Sequence, residues 1–186
     1  MPATPLETAA MSTLGILQRI RARESAGGFR WNICRSRPVA ARWFVAASRL
    51  GDGWLWGAVI AAVALAGGTA GTSAAIRMLA TGFATTLIYK AVKHLVGRPR
   101  PCHTHSELDT LLSPLDHWSF PSGHTLHAVC FTLLAVDFEP LLGLVLIPFT
   151  LLVMASRVVL GLHWPTDVLA GALGGAATAT TALARS

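Results

Sequence analysis

Charge is scarce in this chain of 186 residues. Only 13% of the residues are charged, whereas 53% are hydrophobic and the mean hydropathy is +0.54. A soluble domain of this size needs more charge to cover its surface. The composition therefore excludes an ordinary soluble globular protein, and the long apolar runs indicate that lipid surrounds most of the chain.

Cysteine is also rare, with Cys34, Cys102 and Cys130 standing far apart. Their odd number, their wide spacing and the lack of a CxxC pair favour three free or buried thiols over a disulfide framework or a cysteine metal site. The first thirty residues lack the continuous apolar core of a cleavable signal peptide, so we expect none.

Positive charge is concentrated at the start of the chain. The net charge is +6, and eight of the fifteen basic residues are arginines before position 50, against only Glu7 and Glu24. A basic amphipathic segment beside apolar spans is typical of contact with anionic lipid headgroups. No nucleic-acid motif accompanies the charge, so we expect no nucleic-acid partner. We divide the chain into a basic segment, 1–50, and a membrane-embedded domain, 51–186.

Two stretches of the basic segment are amphipathic. Residues 14–23 place apolar side chains at helical spacing among arginines, and residues 39–50 combine Trp43 with Arg42 and Arg49. Both stretches are too short and too charged to span a bilayer. They predict interfacial helices, and the second has the alternative of entering the membrane partway.

Five apolar segments follow, at about 54–71, 74–96, 122–138, 141–160 and 166–184. A helix of about 20 residues rises roughly 30 Å, one hydrocarbon thickness. The last segment is rich in glycine and alanine, which permits close helix contact. The sequence predicts an all-α integral membrane helical bundle of about five transmembrane helices, preceded by the N-terminal amphipathic helices.

Five spans place three polar clusters on one membrane face. The clusters are Lys93 to Pro101, Pro121 to His124, and Ser156 to Asp167. They bring together three cations, Lys93, Arg100 and Arg157, which form a site for an oxyanion. Ser122 and Gly123 begin a helix, where unpaired backbone N–H groups favour phosphate.

The third cluster also contains a histidine and a carboxylate at helical spacing. His163 and Asp167 stand four residues apart. The carboxylate can accept a hydrogen bond from one imidazole nitrogen and leave the other as a directed nucleophile. His124, in the second cluster, can donate a proton to a leaving group.

In order and spacing, the clusters resemble the type 2 phosphatidic acid phosphatase family, which shares its site with vanadium haloperoxidases. The family signature is K-x6-R-P, then P-S-G-H, then S-R-x5-H-x3-D, and all three parts are intact here. The resemblance covers about 50–184. The Gly51-Asp52-Gly53 sequence also looks like that of bacterial members.

The resemblance implies a role for each matching residue. His163 would attack phosphorus to give a phosphohistidine, with Asp167 orienting its ring and His124 protonating the leaving group. The phosphate oxygens would be held by Lys93, Arg100, Ser122, Gly123 and Arg157. No metal or cofactor is expected, because the cations neutralise the transferring group.

Several of these residues also have a structural explanation. Lys93 can anchor at the headgroups, and Asp167 can cap the last helix. Arg98 precedes a proline as the motif arginine does, but the distance from Lys93 selects Arg100. We expect His127 to line the bundle interior.

The function that the resemblance implies is a membrane lipid phosphatase, in a bacterial inner membrane. Its substrate would be a phospholipid monoester, such as phosphatidate or phosphatidylglycerophosphate, or a polyprenyl diphosphate such as undecaprenyl diphosphate. Two alternatives stay open: a vanadate-dependent haloperoxidase, and a transporter or scaffold without activity. The sequence also leaves undecided which side of the membrane the active site faces. Positive-inside counting places it in the cytoplasm, whereas related bacterial enzymes usually face outward.

Overall fold

The computed structural model describes residues 19–20, 22–24, 32–34, 36–105, 108 and 110–185. Within these ranges the chain forms helices, turns and loops, and no strand. From residue 38 onward the α-helices are α1 (Pro38–Leu50), α2 (Trp54–Ala66), α3 (Gly68–Val96), α4 (Pro101–Thr104), α5 (Gly123–Phe138), α6 (Gly143–Val159) and α7 (Pro165–Leu183). A 3-10 helix, Pro140–Leu142, leads into α6.

The five predicted apolar segments correspond to helices α2, α3, α5, α6 and α7. In the described part of the chain, one continuous helical stretch, Pro140–Val159, is long and apolar enough to cross a membrane alone. Helices α1 and α2 meet the same criterion together, although they are bent by 50° at the break between them. The all-helical architecture predicted from the sequence is confirmed.

Large apolar side chains cover the outside of the bundle. Leu65 is 87% exposed, Phe83 69% and Leu144 76%. A soluble protein seldom exposes so much contiguous apolar surface, whereas lipid solvates it well. These side chains therefore mark the lipid-facing surface.

The first apolar segment ends five residues earlier than its predicted limit at Gly71. Helix α2 stops at Ala66, and the chain turns at Gly67 and Gly68, where Gly68 has φ +58°. Gly71 then packs so closely that a Cβ atom there would lie 2.2 Å from the carbonyl oxygen of Val63. Glycine was needed for this turn, and an apolar pattern alone does not reveal it.

Helix α1 is amphipathic, as the sequence predicts, but its buried face contacts protein. Ala41, Ala47 and Ser48 are buried, and the helix packs on α6, while Trp43 is 73% exposed. Of the helix predicted at 14–23, residues 14–18 and 21 lie outside the described residues.

Helix α5 is the centre of the bundle and packs against α2, α3, α6 and α7. Its closest approach is to α7, where glycines replace side chains at the contact. A Cβ atom on Gly171 would lie 2.6 Å from the carbonyl oxygen of Ser122, and one on Gly175 would lie 2.4 Å from that of Leu126. Small residues let two helix backbones approach this closely. The contact fixes the beginning of α5 beside the beginning of α7.

Candidate active site

A cavity of about 660 Å³ opens at the end of the bundle where α5 and α7 begin. The three polar clusters meet there. Six of the eight predicted site residues line it: Lys93, Arg100, Gly123, His124, Arg157 and His163. The other two, Ser122 and Asp167, are fully buried behind the cavity wall.

His163 lies in the short connection between α6 and α7, with only 2% of its surface exposed. Its backbone N–H donates to the carbonyl of Arg157 at 2.9 Å, and the turn before it uses Gly161 at φ +68°. Burial, and then the charges of Arg157 and Arg100, hold the pKa of His163 well below its usual value near 6.5. The imidazole is therefore neutral at neutral pH, as a nucleophile requires.

The two ring nitrogens of His163 have different environments. Nε2 lies 2.9 Å from an Nη atom of Arg100. Arginine can only donate, so Nε2 accepts, and the neutral ring carries its proton on Nδ1. That nitrogen lies 3.6 Å from Oδ2 of Asp167 and has no hydrogen-bond partner among the described residues. Asp167 therefore faces the ring of His163 as predicted, but the distance between the two atoms exceeds that of a hydrogen bond.

Asp167 is held by two other donors. The backbone N–H of Trp164 donates to Oδ2 at 2.9 Å, which caps the first turn of α7. Arg98 donates to Oδ1 at 2.7 Å. The motif spacing selects Arg100 and does not predict that Arg98 also reaches the site. The one sequence signal for it is its position two residues before Arg100.

Lys93 and Arg100 share one carboxylate, that of Asp116. Lys93 donates to both oxygens of Asp116, at 2.9 and 2.7 Å, and to the carbonyl of Trp118 at 3.0 Å. Arg100 donates to Oδ1 of Asp116 at 2.6 Å. Burial alone would raise the pKa of Asp116, but these two cations outweigh it and lower the pKa. The sequence motifs did not predict Asp116 as a site residue, although it lies between two of them in the chain.

Arg157 is 3% exposed and reaches the cavity from the end of α6. One Nη atom donates to the hydroxyl of Ser48 on α1. Its Nε is buried and has no hydrogen-bond partner in the described part of the chain. The described residues therefore satisfy only part of the hydrogen-bonding capacity of this guanidinium.

Helix α5 begins at Gly123, with Ser122 as its N-cap residue and no side chain capping it. A Cβ atom on Gly123 would lie 3.1 Å from the ring of Tyr89. His124, next along the helix, contacts Asp52 through Nε2. Asp52 stands between Gly51 and Gly53, and Gly53 has φ +121°, so this glycine-flanked turn presents the carboxylate to the imidazole.

The other described histidines near the site lie in different surroundings. His127 donates to or accepts from the Thr86 hydroxyl at 3.0 Å and stacks on Phe131, inside the bundle as predicted. His103 and His117 lie with ring centroids 5.3 Å apart in the connecting loop. Among the residues that the structure describes, no three His, Cys, Asp or Glu side chains group as a metal site would require.

The sequence of this chain matches a known protein family and several of its members. A family model described as the PAP2 superfamily matches residues 74–185. The chain is 42% identical over 66 residues to phosphatidylglycerophosphatase B of Haemophilus influenzae and 38% identical over 68 residues to that of Escherichia coli K12. These matches cover 30% and 31% of this chain and only 27% of each relative's length.

Two solved structures have a similar fold. A transmembrane PAP2-type phosphatidylglycerolphosphate phosphatase from Bacillus subtilis aligns with a TM-score of 0.73 at 22% identity, covering 90% of this chain and 86% of that one. Aquifex aeolicus LpxE aligns with a TM-score of 0.72 at 24% identity, covering 84% of this chain and 92% of that one. At these identities the likeness is one of fold, and it confirms the predicted membrane helical bundle.

Proposed function

The chain belongs to the PAP2 superfamily, and on that premise we propose that it is an integral membrane phosphatase that removes phosphate from a lipid through a phosphohistidine intermediate. One observation carries the proposal. Three cations, those of Lys93, Arg100 and Arg157, line one cavity together with the imidazole of His163. Three cations around a neutral imidazole suit a phosphoryl group.

Binding comes first in the proposed mechanism. Phosphate oxygens accept from Arg157 and replace Asp116 as the partner of Lys93 and Arg100. When Arg100 turns from His163 to a phosphate oxygen, the Nε2 lone pair is released for attack. The cations then stabilise the negative charge on the transferring group, which is the main contribution in phosphoryl transfer.

Two chemical steps follow. Nε2 of His163 forms a bond to phosphorus as the bond to the lipid oxygen breaks, and His124 gives its proton to that oxygen. A water molecule then attacks phosphorus, the P–N bond breaks, and His124 takes the proton that water loses. Inorganic phosphate leaves and both histidines return to their starting states, in line with general acid–base catalysis by one residue in both directions.

The lining of the cavity supports a lipid as the substrate. Away from the cations it is bordered by Trp56, Ile60, Leu79, Phe83 and Phe131 from α2, α3 and α5. This leaves a charged end for the headgroup and an apolar side for an acyl or prenyl chain. Since the curated relatives are named phosphatidylglycerophosphatase B, we propose phosphatidylglycerophosphate as the first substrate to test and undecaprenyl diphosphate as the second.

Phosphate release from purified protein in detergent micelles tests the function. The panel contains phosphatidylglycerophosphate, phosphatidate and undecaprenyl diphosphate, each with the wild type, His163→Ala and the control Arg77→Gln. Arg77 pairs loosely with Asp137 at 4.0 Å and lies outside the cavity. We expect release that His163→Ala abolishes and Arg77→Gln retains, and a radioactive phosphoenzyme that is stable to base and labile to acid. Activity that persists in His163→Ala would refute the mechanism.

We also propose that the protein resides in a bacterial cytoplasmic membrane, since its named relatives and structural neighbours are bacterial. Fractionation of inner and outer membranes with an epitope-tagged chain tests this location.

A further inference from the structure

Arg98 lies between two buried carboxylates from opposite ends of the chain. It donates to Oδ1 of Asp167 at 2.7 Å and to Oε2 of Glu24 at 2.7 Å. The side chains of Arg98, Glu24 and Asp167 are 12%, 7% and 0% exposed. Glu24 comes from the basic N-terminal segment and lies outside the stretch 74–185 that the family model matches.

Glu24 is anchored on the same helix turn that carries Asp167. Its other oxygen, Oε1, accepts from the backbone N–H of Thr166 at 2.8 Å. A carboxylate is well placed there, because the first turn of a helix has unpaired N–H groups and a positive dipole end. Arg98 also donates to the Thr166 hydroxyl at 2.7 Å. Three independent bonds therefore connect Glu24 and Arg98 to the beginning of α7.

This arrangement fixes the carboxylate of Asp167 against the imidazole. Arg98 holds Oδ1, and the backbone N–H of Trp164 holds Oδ2. With both oxygens held, Oδ2 faces Nδ1 of His163 at 3.6 Å. A small rotation of the ring during attack would close that gap to a hydrogen bond.

Glu24 determines the net charge of the group that faces Nδ1 of His163. Arg98 alone would neutralise Asp167, and the imidazole would face a neutral pair. With Glu24 included, the group of two carboxylates and one guanidinium has a formal net charge of −1. The other charged or titratable groups that face His163 are Arg157 from α6, Arg100, Lys93 from α3 and His124 from α5, and all of them disfavour its protonation.

We propose that Glu24 and Arg98 are positioning residues for the phosphatase: acting through Asp167, they set the orientation and the proton affinity of the His163 imidazole. The inference rests on the proposed function for its kinetic test but not for its spectroscopic one. It gives the N-terminal segment a part in the site that no motif predicted.

Opposite charge changes provide the test. Glu24→Gln removes a negative charge while keeping an oxygen that can accept from Thr166, and Arg98→Gln removes the positive charge. The double variant Glu24→Gln/Arg98→Gln restores the net charge of −1, and Arg98→Lys keeps the charge but loses the planar fork. Arg77→Gln is the matched control for loss of an arginine ion pair elsewhere.

The first readout is the acidic limb of kcat/KM, which reports deprotonation of the free enzyme. The second is the titration of the His163 ring, followed by NMR of protein labelled at histidine nitrogen and assigned with His163→Ala. A unit charge at this range is expected to move either value by about half a pH unit. Glu24→Gln should shift both downward and Arg98→Gln upward, while Arg98→Lys and Arg77→Gln leave them in place.

Opposite shifts that cancel in the double variant support the proposal. Equal losses of activity with an unshifted limb and an unshifted ring titration would show that the contacts only hold the N-terminal segment in place, and would overturn it. If Arg98→Gln does not fold, the downward shift in Glu24→Gln decides alone. If the wild type releases no phosphate, the proposed function fails while the NMR titration still tests the inference.

Discussion

Arg100 donates a hydrogen bond of 2.9 Å to Nε2 of His163, the atom predicted to attack phosphorus. The same guanidinium donates to Asp116 at 2.6 Å. His163 and Asp116 are thus the acceptors that phosphate oxygens would have to replace at Arg100. In the mechanism proposed above, substrate binding is an exchange of acceptors, and its free energy is the difference between two well-paired states.

Asp116→Asn should strengthen the binding of phosphate-like anions. All three protons of the Lys93 ammonium are directed to Asp116 and Trp118, so an incoming anion must displace the carboxylate. The Asp116 side chain is 43% exposed, which limits the effect. We expect the inhibition constant of orthovanadate to fall about threefold to fivefold. Asp137→Asn is the control, and weaker inhibition in Asp116→Asn would mean that the carboxylate instead holds the cations in place.

Arg157→Lys should lower kcat/KM by about 10²–10³. Lysine keeps the charge but lacks the planar fork with which the guanidinium, already bonded to Ser48, can offer further donors to a phosphate. The exposed Arg42 on α1 provides the matched change, Arg42→Lys, which should retain activity. Steady-state kinetics on the best substrate of the panel measure both. A loss below threefold would remove Arg157 from the phosphate site.

Asp52→Asn should impair protonation of the leaving group. The contact between Asp52 and Nε2 of His124 orients that imidazole, so we expect kcat to fall about tenfold to a hundredfold with little change in KM. The diagnostic readout is the leaving group. A substrate whose alcohol is acidic enough to leave without a proton should lose much less activity than a lipid ester. Equal losses on both would argue for a structural role only.

Gly171→Ala should disrupt the junction of α5 and α7. The added Cβ atom would lie 2.6 Å from a backbone carbonyl that cannot rotate away, so the helices must separate at Ser122. We expect about 1–3 kcal/mol of destabilisation, together with loss of activity. Gly174→Ala, on the same helix, meets only a Leu126 side-chain atom at 3.4 Å and is the control. Thermal unfolding in detergent compares the pair, and equal midpoints would contradict the close contact.

Acid should destabilise the fold through His163. Burial keeps its folded-state pKa well below 6.5, so the neutral ring contributes its full stability above pH 6.5. That contribution declines as pH falls from 6.5 toward the folded-state pKa, because the unfolded chain takes up the proton first. The variant His163→Gln should show a shallower fall of the unfolding midpoint between pH 6.5 and 5. Parallel curves for the two proteins would contradict the assignment.

The parts of the site that could be predicted are those set by local spacing. His163 and Asp167 are four residues apart, so any helix beginning at Pro165 brings them together. Lys93 and Arg100 lie on either side of the end of α3, so their short separation in sequence also keeps them close in space. Chain position puts Arg98 and Asp116 near the motifs, but their partners could not be predicted, because these depend on how loops fold over the bundle rather than on helical periodicity.

In the fold, too, features set by local sequence pattern were predictable and those set by distant contacts were not. Apolar runs predicted five helices, since burial in lipid requires them, but the early end of α2 depends on a glycine pair whose role appears only in three dimensions. Ser48 lies in the stretch 39–50 that the sequence predicts as an interfacial helix. Its hydroxyl instead accepts a hydrogen bond from Arg157, 109 residues away in sequence, and no pattern within α1 indicates so distant a partner.

The bond from Thr166 to Glu24 joins residues 142 positions apart. During synthesis, Glu24 emerges from the ribosome long before α7 exists, and contacts of such separation close late because of their entropic cost. The contact that holds Asp167 against His163 is therefore completed only after α7 has been made. We expect a chain truncated before α7, which lacks both Asp167 and the anchor of Glu24, to release no phosphate from a lipid.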